Sequence, residues 1–524
     1  MGPGMKTGFR QSQATLHTWS GLLVGWVLFV VFLTGTTAYW REALNRWAQP
    51  ELPAITDPLT VVRGAQAFLT RQARGADSWF ITVPTTRSAS GSVYWVPGAD
   101  TPPKHDGGEA SARIDGAGHP VVARATRGGD FFYRFHFDLF YLPVLWSRWI
   151  VGTCAMFMLV AILTGIVTHK KIFRDFFTLR RGKGQRSWLD GHNAAAVLGL
   201  PFHLMITYTG LVTLATMLMP WAVVANYSDT GTFGEILYPQ APVVARTGRA
   251  TPLVDLARVV RDGQARLGGP VDAILVTFAG DAAARVTLAK SSQASLSNFT
   301  PKLGYDGVSG RLIWASPPPG GAQVTAGAMI GLHAGRFADT AIRWVYFLCG
   351  LGGTLMVASG LVLWTVKRRE KLPDPARPHF GFRLVERLNV GFIAGFPAAM
   401  VGFLWANRLL PPLLPQRADA EVNVMFALWG VLLLYAFLRK PTRAWVDLLG
   451  LTAGLLLALP VFDMLATDRG LPRTIASGDW TLAGVDLTLL ALGCAFGWMA
   501  RAVARHRARP RRVRSRAAAT VLAG

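Results

Sequence analysis

Residues 162–212 read ILTGIVTHKKIFRDFFTLRRGKGQRSWLDGHNAAAVLGLPFHLMITYTGLV. One apolar run ends just after Thr164-Gly165, and a second begins near His192. Between them stand Lys170, Lys171, Arg174, Arg180, Arg181, Lys183 and Arg186. A membrane span needs about 20 mostly apolar residues. Short loops rich in Lys and Arg stay on the cytoplasmic side. The stretch therefore reads as a transmembrane hairpin with its turn inside the cell.

Working outward, the same pattern recurs. Eight spans are expected near 18–40, 143–168, 193–219, 341–365, 390–407, 422–438, 444–466 and 481–500. Loop 366–389, the connection at 439–443 and the Arg-rich tail are basic, whereas 408–421 and 467–480 hold few cations. The positive-inside bias places both termini in the cytoplasm. The first span is expected to be an uncleaved anchor, because it is longer than a signal-peptide core and lacks a clear A-x-A site. Segments 41–142 and 220–340 then lie outside, in the periplasm of a Gram-negative cell.

Composition agrees. Of the 524 residues 51% are apolar and 16% charged, against about 25% charged in soluble proteins, and the mean hydropathy is +0.31. The formal charge of +24 sits beside the spans and in the tail. It reads as contact with anionic membrane lipid rather than nucleic acid. Cys154, Cys349 and Cys494 each lie in an apolar run without CxxC spacing. Neither a disulfide framework nor a zinc or iron–sulfur site is indicated.

The chain also repeats itself. A helix-like stretch at 59–72, alternating runs at 78–84 and 92–98 and a D-G turn at 113–124 recur at 252–267, 272–280, 284–290 and 304–315. His17 precedes Gly35 by 18 residues, as His192 precedes Gly210 (35 − 17 and 210 − 192). His136 stands before the second span and His333 before the fourth. Both units have the same orientation, so the repeat axis runs along the membrane normal. That symmetry sets His17 opposite His192 near the cytoplasmic face and His136 opposite His333 near the periplasmic face. Facing imidazoles suit the two axial positions of a haem iron. Two such sites would carry electrons across the bilayer.

His169 and His203 break the repeat; their counterparts are Trp364 and Leu28. On a straight helix His203 lies about 16 Å beyond His192 on the same face. A polar residue at that depth is costly without a role. Ligation of an additional haem, a propionate bond and proton relay all fit it. For His169, interfacial anchoring and ligation both stand. Arg134, Arg148, Arg336 and Arg343 fall near the periplasmic face, where holding propionates, holding an anionic chelate and simple snorkelling are all open.

Segments 14-ATLHTWSGLLVGW-26, 162–212 and 331-GLHAGRF-337 resemble the PepSY-associated transmembrane proteins, iron-regulated bacterial inner-membrane proteins that include ferric-siderophore reductases. The resemblance covers roughly residues 10–370. It implies a four-helix core binding b-type haems, two of them on this count, and reduction of ferric iron or ferric siderophore in the periplasm. It also implies that His17, His136, His192 and His333 are the family's recurrent histidines and that the two outside segments are PepSY-like. No G-x-G-x-x-G lies between a strand and a helix, so electrons must come from a separate donor, a quinol or a cytoplasmic reductase.

The expected protein is thus mainly α, a polytopic inner-membrane protein of about eight transmembrane helices. It has a duplicated four-helix haem-type core and two small periplasmic α+β modules. The first repeat runs 10–169 with its outside module at about 41–135. The second runs 190–367 with its module at about 220–335. Four additional helices fill 385–505, and a basic cytoplasmic tail fills 506–524. Two rivals remain from other classes. One is a non-redox scaffold or sensor whose periplasmic modules bind a peptide or protein. The other is a transporter, although the expected spans lack the broken helices and the acidic residues such a protein uses.

Overall fold

The structure is a computed structural model and describes residues 8–53, 57–88, 90–98, 110–168, 184–227 and 229–508. His169, His105 and most of the first basic loop lie outside the described residues. Among the described residues seven helices are long and apolar enough to cross a membrane, and an eighth span results if one bent pair counts as one. Long apolar stretches become helices because a helix satisfies its own backbone polar groups where water is absent. The chain is a multi-pass membrane protein that divides into two compact units, residues 1–375 with 410–419, and 376–409 with 420–524.

In the first unit α1 (Phe9–Ala38) runs on through α2 (Arg41–Ala48) into α3 (Pro58–Gln72) and strands β1 (Ser78–Thr82), β2 (Gly91–Val96) and β3 (Ala110–Ile114). Helices α4 (Gly128–Asp138) and α5 (Val144–Thr168) complete the first repeat. The second begins with α6 (Gln185–Leu198) and α7 (Leu200–Thr213). It continues through α8 (Leu256–Leu267) and strands β4 (Val271–Thr277), β5 (Arg285–Lys290), β6 (Lys302–Asp306) and β7 (Leu312–Ala315). It ends with α9 (Gly321–Ala334) and α10 (Thr340–Arg369). Helix α1 packs along α5 and α10, and α6 packs along α10. Val24, Leu28, Cys154, Met158, Ile162 and Met356 meet between them.

The third span is not straight. It bends by 67° between α6 and α7, where Gly199 and Pro201 interrupt the ladder. The straight-helix depth expected for His203 therefore does not apply.

Segments 41–142 and 220–340 do not form two separate sheets. Their strands join in one antiparallel seven-stranded sheet, ordered β3-β2-β1-β4-β5-β6-β7. The join is β1 on β4, with Phe80 opposite Leu275 at its centre. Each half would otherwise carry a bare edge at its first strand, and mutual pairing satisfies both. Helices α3 and α8 each begin on an Asp cap; Asp57 accepts from Leu59 N and Asp255 from Ala257 N, both at 3.0 Å. Gln66 of α3 clasps the start of α8, donating to Val254 O and accepting from Leu256 N, each at 2.9 Å. Beneath the two helices one core runs through Val61, Leu69, Ile81, Leu256, Ile274 and Leu288.

The second unit contains α11 (Phe380–Val390), a π-helical turn at Gly391–Gly395, α12 (Phe396–Leu409), α13 (Arg417–Leu438), α14 (Pro441–Ala466) and α15 (Trp480–Ala508). A π turn frees carbonyls; here Trp429 Nε1 donates to Gly391 O and Thr452 Oγ1 to Ala394 O, both at 3.3 Å. A polar network crosses its interior. Arg408 Nε donates to Asp463 at 2.5 Å, Arg408 Nη1 to Asn407 Oδ1 at 2.6 Å, and Asn407 Nδ2 to Glu421 at 2.8 Å. Nothing in the sequence pattern had joined these residues to one another.

Candidate functional site

Four histidines converge as two pairs. The rings of His17 on α1 and His192 on α6 lie 6.3 Å apart between centroids. Those of His136 on α4 and His333 on α9 lie 6.0 Å apart. Each pair takes one residue from each repeat.

Every one of these rings rests on a glycine that follows a hydroxyl residue on yet another helix. His17 sits against Gly165 of α5, His192 against Gly360 of α10, His136 against Gly35 of α1 and His333 against Gly210 of α7. The preceding residues are Thr164, Ser359, Thr34 and Thr209. In each case the ring Nδ1 donates to the carbonyl four residues before the glycine. The acceptors are Ala161 at 2.8 Å, Met356 at 2.9 Å, Val31 at 2.7 Å and Ile206 at 3.0 Å. A helical carbonyl already bonds the amide four residues on but keeps a second lone pair. Without a Cβ at that later position, an imidazole can reach it.

The bonds decide the tautomer. A carbonyl only accepts, so each Nδ1 carries the hydrogen and each Nε2 keeps its lone pair. Fixing Nδ1 in this way is how a protein orients a ligating imidazole. A metal held by two imidazole bonds of about 2 Å would set ring centroids roughly 6 Å apart. Both pairs match. Among the described residues no group of three or more His, Cys, Asp or Glu side chains is placed to hold a metal ion. Each pair offers two imidazole nitrogens, a set that could serve a metal bringing its other ligands with it.

A cavity of about 640 Å³ opens beside His17 and His192, within the roughly 300–1,000 Å³ typical of small-molecule and cofactor sites. Leu28, Met158, Ile162 and Met356 line it. Lys367, Arg368 and Lys371 stand among its lining, and the Arg368 guanidinium stacks on Trp19 at 4.8 Å and Trp364 at 4.5 Å. His203 reaches the same cavity. It is 1% exposed and touches Phe32 and Phe202. Its Nε2 donates to Cys349 O at 3.2 Å, and its Nδ1 is buried without a partner. This is the opposite tautomer from the four paired rings. Gly199, one turn earlier, lies so close to the ring that no Cβ fits there.

At the other pair, Arg134 and Arg148 both turn to Asp138, at 3.5 and 2.9 Å. Arg336 and Arg343 do not; Arg336 bonds Asn298 at 3.4 Å and Arg343 stacks over Trp40 at 4.5 Å.

The sequence profile of the PepSY-associated TM region matches residues 14–367. The chain belongs to the PepSY-associated transmembrane family. An uncharacterized protein of Pseudomonas aeruginosa is 30% identical over 387 residues, 70% of this chain and 93% of that protein. The family match contains all four paired histidines, most of the cavity lining and the whole sheet, and it ends inside α10, before Arg368 and Lys371. Helices α11 to α15 lie beyond it. The Ser/Thr-Gly steps served in the sequence only as markers of repeat register; their packing against the rings was the signal they carried unread.

Proposed function

We propose that this PepSY-associated protein is a haem-binding electron-transfer protein of the bacterial inner membrane, with both termini cytoplasmic, and that it reduces ferric iron or a ferric siderophore in the periplasm. The observation that supports it is the fourfold seat. Four imidazoles, each with Nδ1 tied to a carbonyl over a glycine, stand as two pairs about 6 Å apart.

His17 and His192 would hold one b-type haem, and His136 and His333 a second. Bound between such pairs, the group supplies a one-electron couple near each membrane face. The chain's part is to orient. The carbonyls of Ala161, Met356, Val31 and Ile206 keep each ring in the ligating tautomer. Leu28, Met158 and Met356 keep water from the first site. Lys367, Arg368 and Lys371 offer cations for carboxylates there. Each ferric ion takes one electron, so a quinol losing two electrons and two protons, or a cytoplasmic reductase, would serve two ferric ions. Ferrous iron binds hard chelating oxygens less tightly than ferric iron, so reduction loosens the chelate.

The test is a reduced-minus-oxidised spectrum of the purified protein. A split b-type band is expected. His17→Ala or His192→Ala should remove one component, and His136→Ala or His333→Ala the other. A featureless spectrum defeats the proposal and favours the scaffold or sensor reading, in which the sheet binds a peptide or protein.

A further inference from the structure

Three arginines gather beside the His136/His333 pair, with the carboxylates of Glu42 and Asp339 acting on them only from a distance. Arg87 comes from the loop between β1 and β2, and its Nη2 donates to Gly335 O at 3.2 Å and to Ala338 O. Arg336 stands three residues after His333, bonded only to the neutral Asn298. Arg343 lies in the first turn of α10, bonds Thr340 Oγ1 at 3.3 Å and stacks on Trp40. Among the described residues no ion pair joins any of the three. The nearby carboxylates are engaged, Glu42 with Arg41 at 3.7 Å and Asp339 with the amide of Ile342 at 2.8 Å.

Two donors at this place have no acceptor among the described residues. Arg343 Nε and Trp40 Nε1 are both buried without a hydrogen-bond partner there, and the two side chains are in contact. A buried donor left unsatisfied costs about 1–3 kcal/mol. The charges also press on one another. Burial, with the Arg343 guanidinium and then that of Arg336 adding to it against Glu42, brings Arg87 down to about 10. Three half-buried guanidiniums and two orphan N–H groups are complementary to oxyanions and to little else.

We propose that Arg87, Arg336 and Arg343, with the indole N–H of Trp40, bind the oxyanion groups of an anionic ferric chelate. The substrate identity rests on the reductase reading above; the anion site itself does not. It selects negatively charged chelates over neutral ones and places them beside the His136/His333 pair. Haem propionates share the same carboxylate chemistry, and the test separates the two sources.

The probe is the gallium(III) complex of EDTA, a redox-inert anion, titrated calorimetrically into the full chain in detergent. A neutral gallium tris-hydroxamate is the comparison. The wild type should bind the anion more tightly than the neutral complex, with affinity falling as salt rises. Arg336→Gln and Arg343→Gln should each weaken it by about ten-fold, and Arg343→Lys by less. Arg266→Gln, in the last turn of α8 and paired with Asp262, should leave it unchanged. Equal binding of both complexes, or anion binding indifferent to both Gln variants, overturns the site. Spectra are taken on the same samples. Loss of the His136/His333 band with unchanged anion binding would hand the arginines to propionates and also overturn it. Arginine-dependent anion binding by a protein without any haem band would sink the reductase reading and leave the anion site standing.

Discussion

The glycine seats allow a graded perturbation. A methyl group added at Gly35 would lie 2.6 Å from Nδ1 and 2.7 Å from Cε1 of His136, and one at Gly210 would lie 2.8 Å from Cε1 of His333. At Gly165 and Gly360 the same methyl would meet the rings of His17 and His192 at 3.3 and 3.2 Å. Ordinary carbon contacts begin near 3.4 Å, so the His136 ring must retreat by about 0.8 Å, whereas His17 and His192 need give only a tenth or two. Such a retreat stretches the 2.7 Å bond to Val31 O to about 3.5 Å, the edge of a hydrogen bond. The loss of that bond, with the overpacking itself, should cost roughly 2–4 kcal/mol for Gly35→Ala. Gly165→Ala and Gly360→Ala should cost under about 1 kcal/mol. Thermal unfolding followed by tryptophan fluorescence reads the stability difference. The haem spectrum, taken in parallel, should lose its His136/His333 component in Gly35→Ala and Gly210→Ala alone. If all four alanine variants melt together with wild type, or if Gly165→Ala is the most damaging, the seats do not hold the rings as described.

Three other outcomes follow from separate parts of the molecule. His203 belongs to neither pair, so His203→Leu should leave both spectral components in place; loss of either would make it a ligand. The Asp281 carboxylate accepts from the amides of Ala283, Thr247 and Gly248 and from the Thr247 hydroxyl. These bonds, the Ala283 amide first, hold it down to about 2, below the usual carboxylate near 3.9. A depressed value stabilises the fold above the unfolded pKa, so this contribution should fade as pH falls from about 4 to 2. Asp281→Asn should flatten that dependence in a pH-jump melt. In the second unit, Arg408 and Asp463 are a buried pair with side chains 1% exposed. Asp463→Leu alone should cost about 3–5 kcal/mol and sharply lower the amount of folded protein in membranes, while adding Arg408→Met should restore most of it. A double variant no better than the single would show that the pair is not the unit that matters.

Much of this was legible because membranes impose coarse rules. Twenty apolar residues between basic loops can do little but span, so the helices followed from hydropathy and charge alone. The histidine register was legible because a duplicated unit must repeat its spacing, and 18 residues from His17 to Gly35 matched 18 from His192 to Gly210. The bend in the third span was not read, although Gly199 and Pro201 stood in plain view, because apolar runs score as continuous whatever interrupts them. The join of β1 to β4 was hidden for a deeper reason. Strand pairing between segments nearly 200 residues apart leaves no periodic trace, and each segment alone reads as a self-sufficient module. Arg87 was missed for the same cause, since only the folded sheet carries it to Gly335 and Ala338. In the second unit, Asp463 fell inside the expected span 444–466 and its partner Arg408 at the edge of the loop 408–421, with nothing in the sequence to join them.

The single sheet has a consequence for biogenesis. Phe80 meets Leu275, which the ribosome adds 195 residues later (275 − 80). At about 5–20 residues per second, the first half waits some 10–40 seconds with an unpaired strand. During that interval the nascent segment offers a sticky border to any neighbouring chain. A cell overproducing this protein should therefore need a holding chaperone where the sheet folds, and truncations ending before residue 271 should aggregate rather than fold.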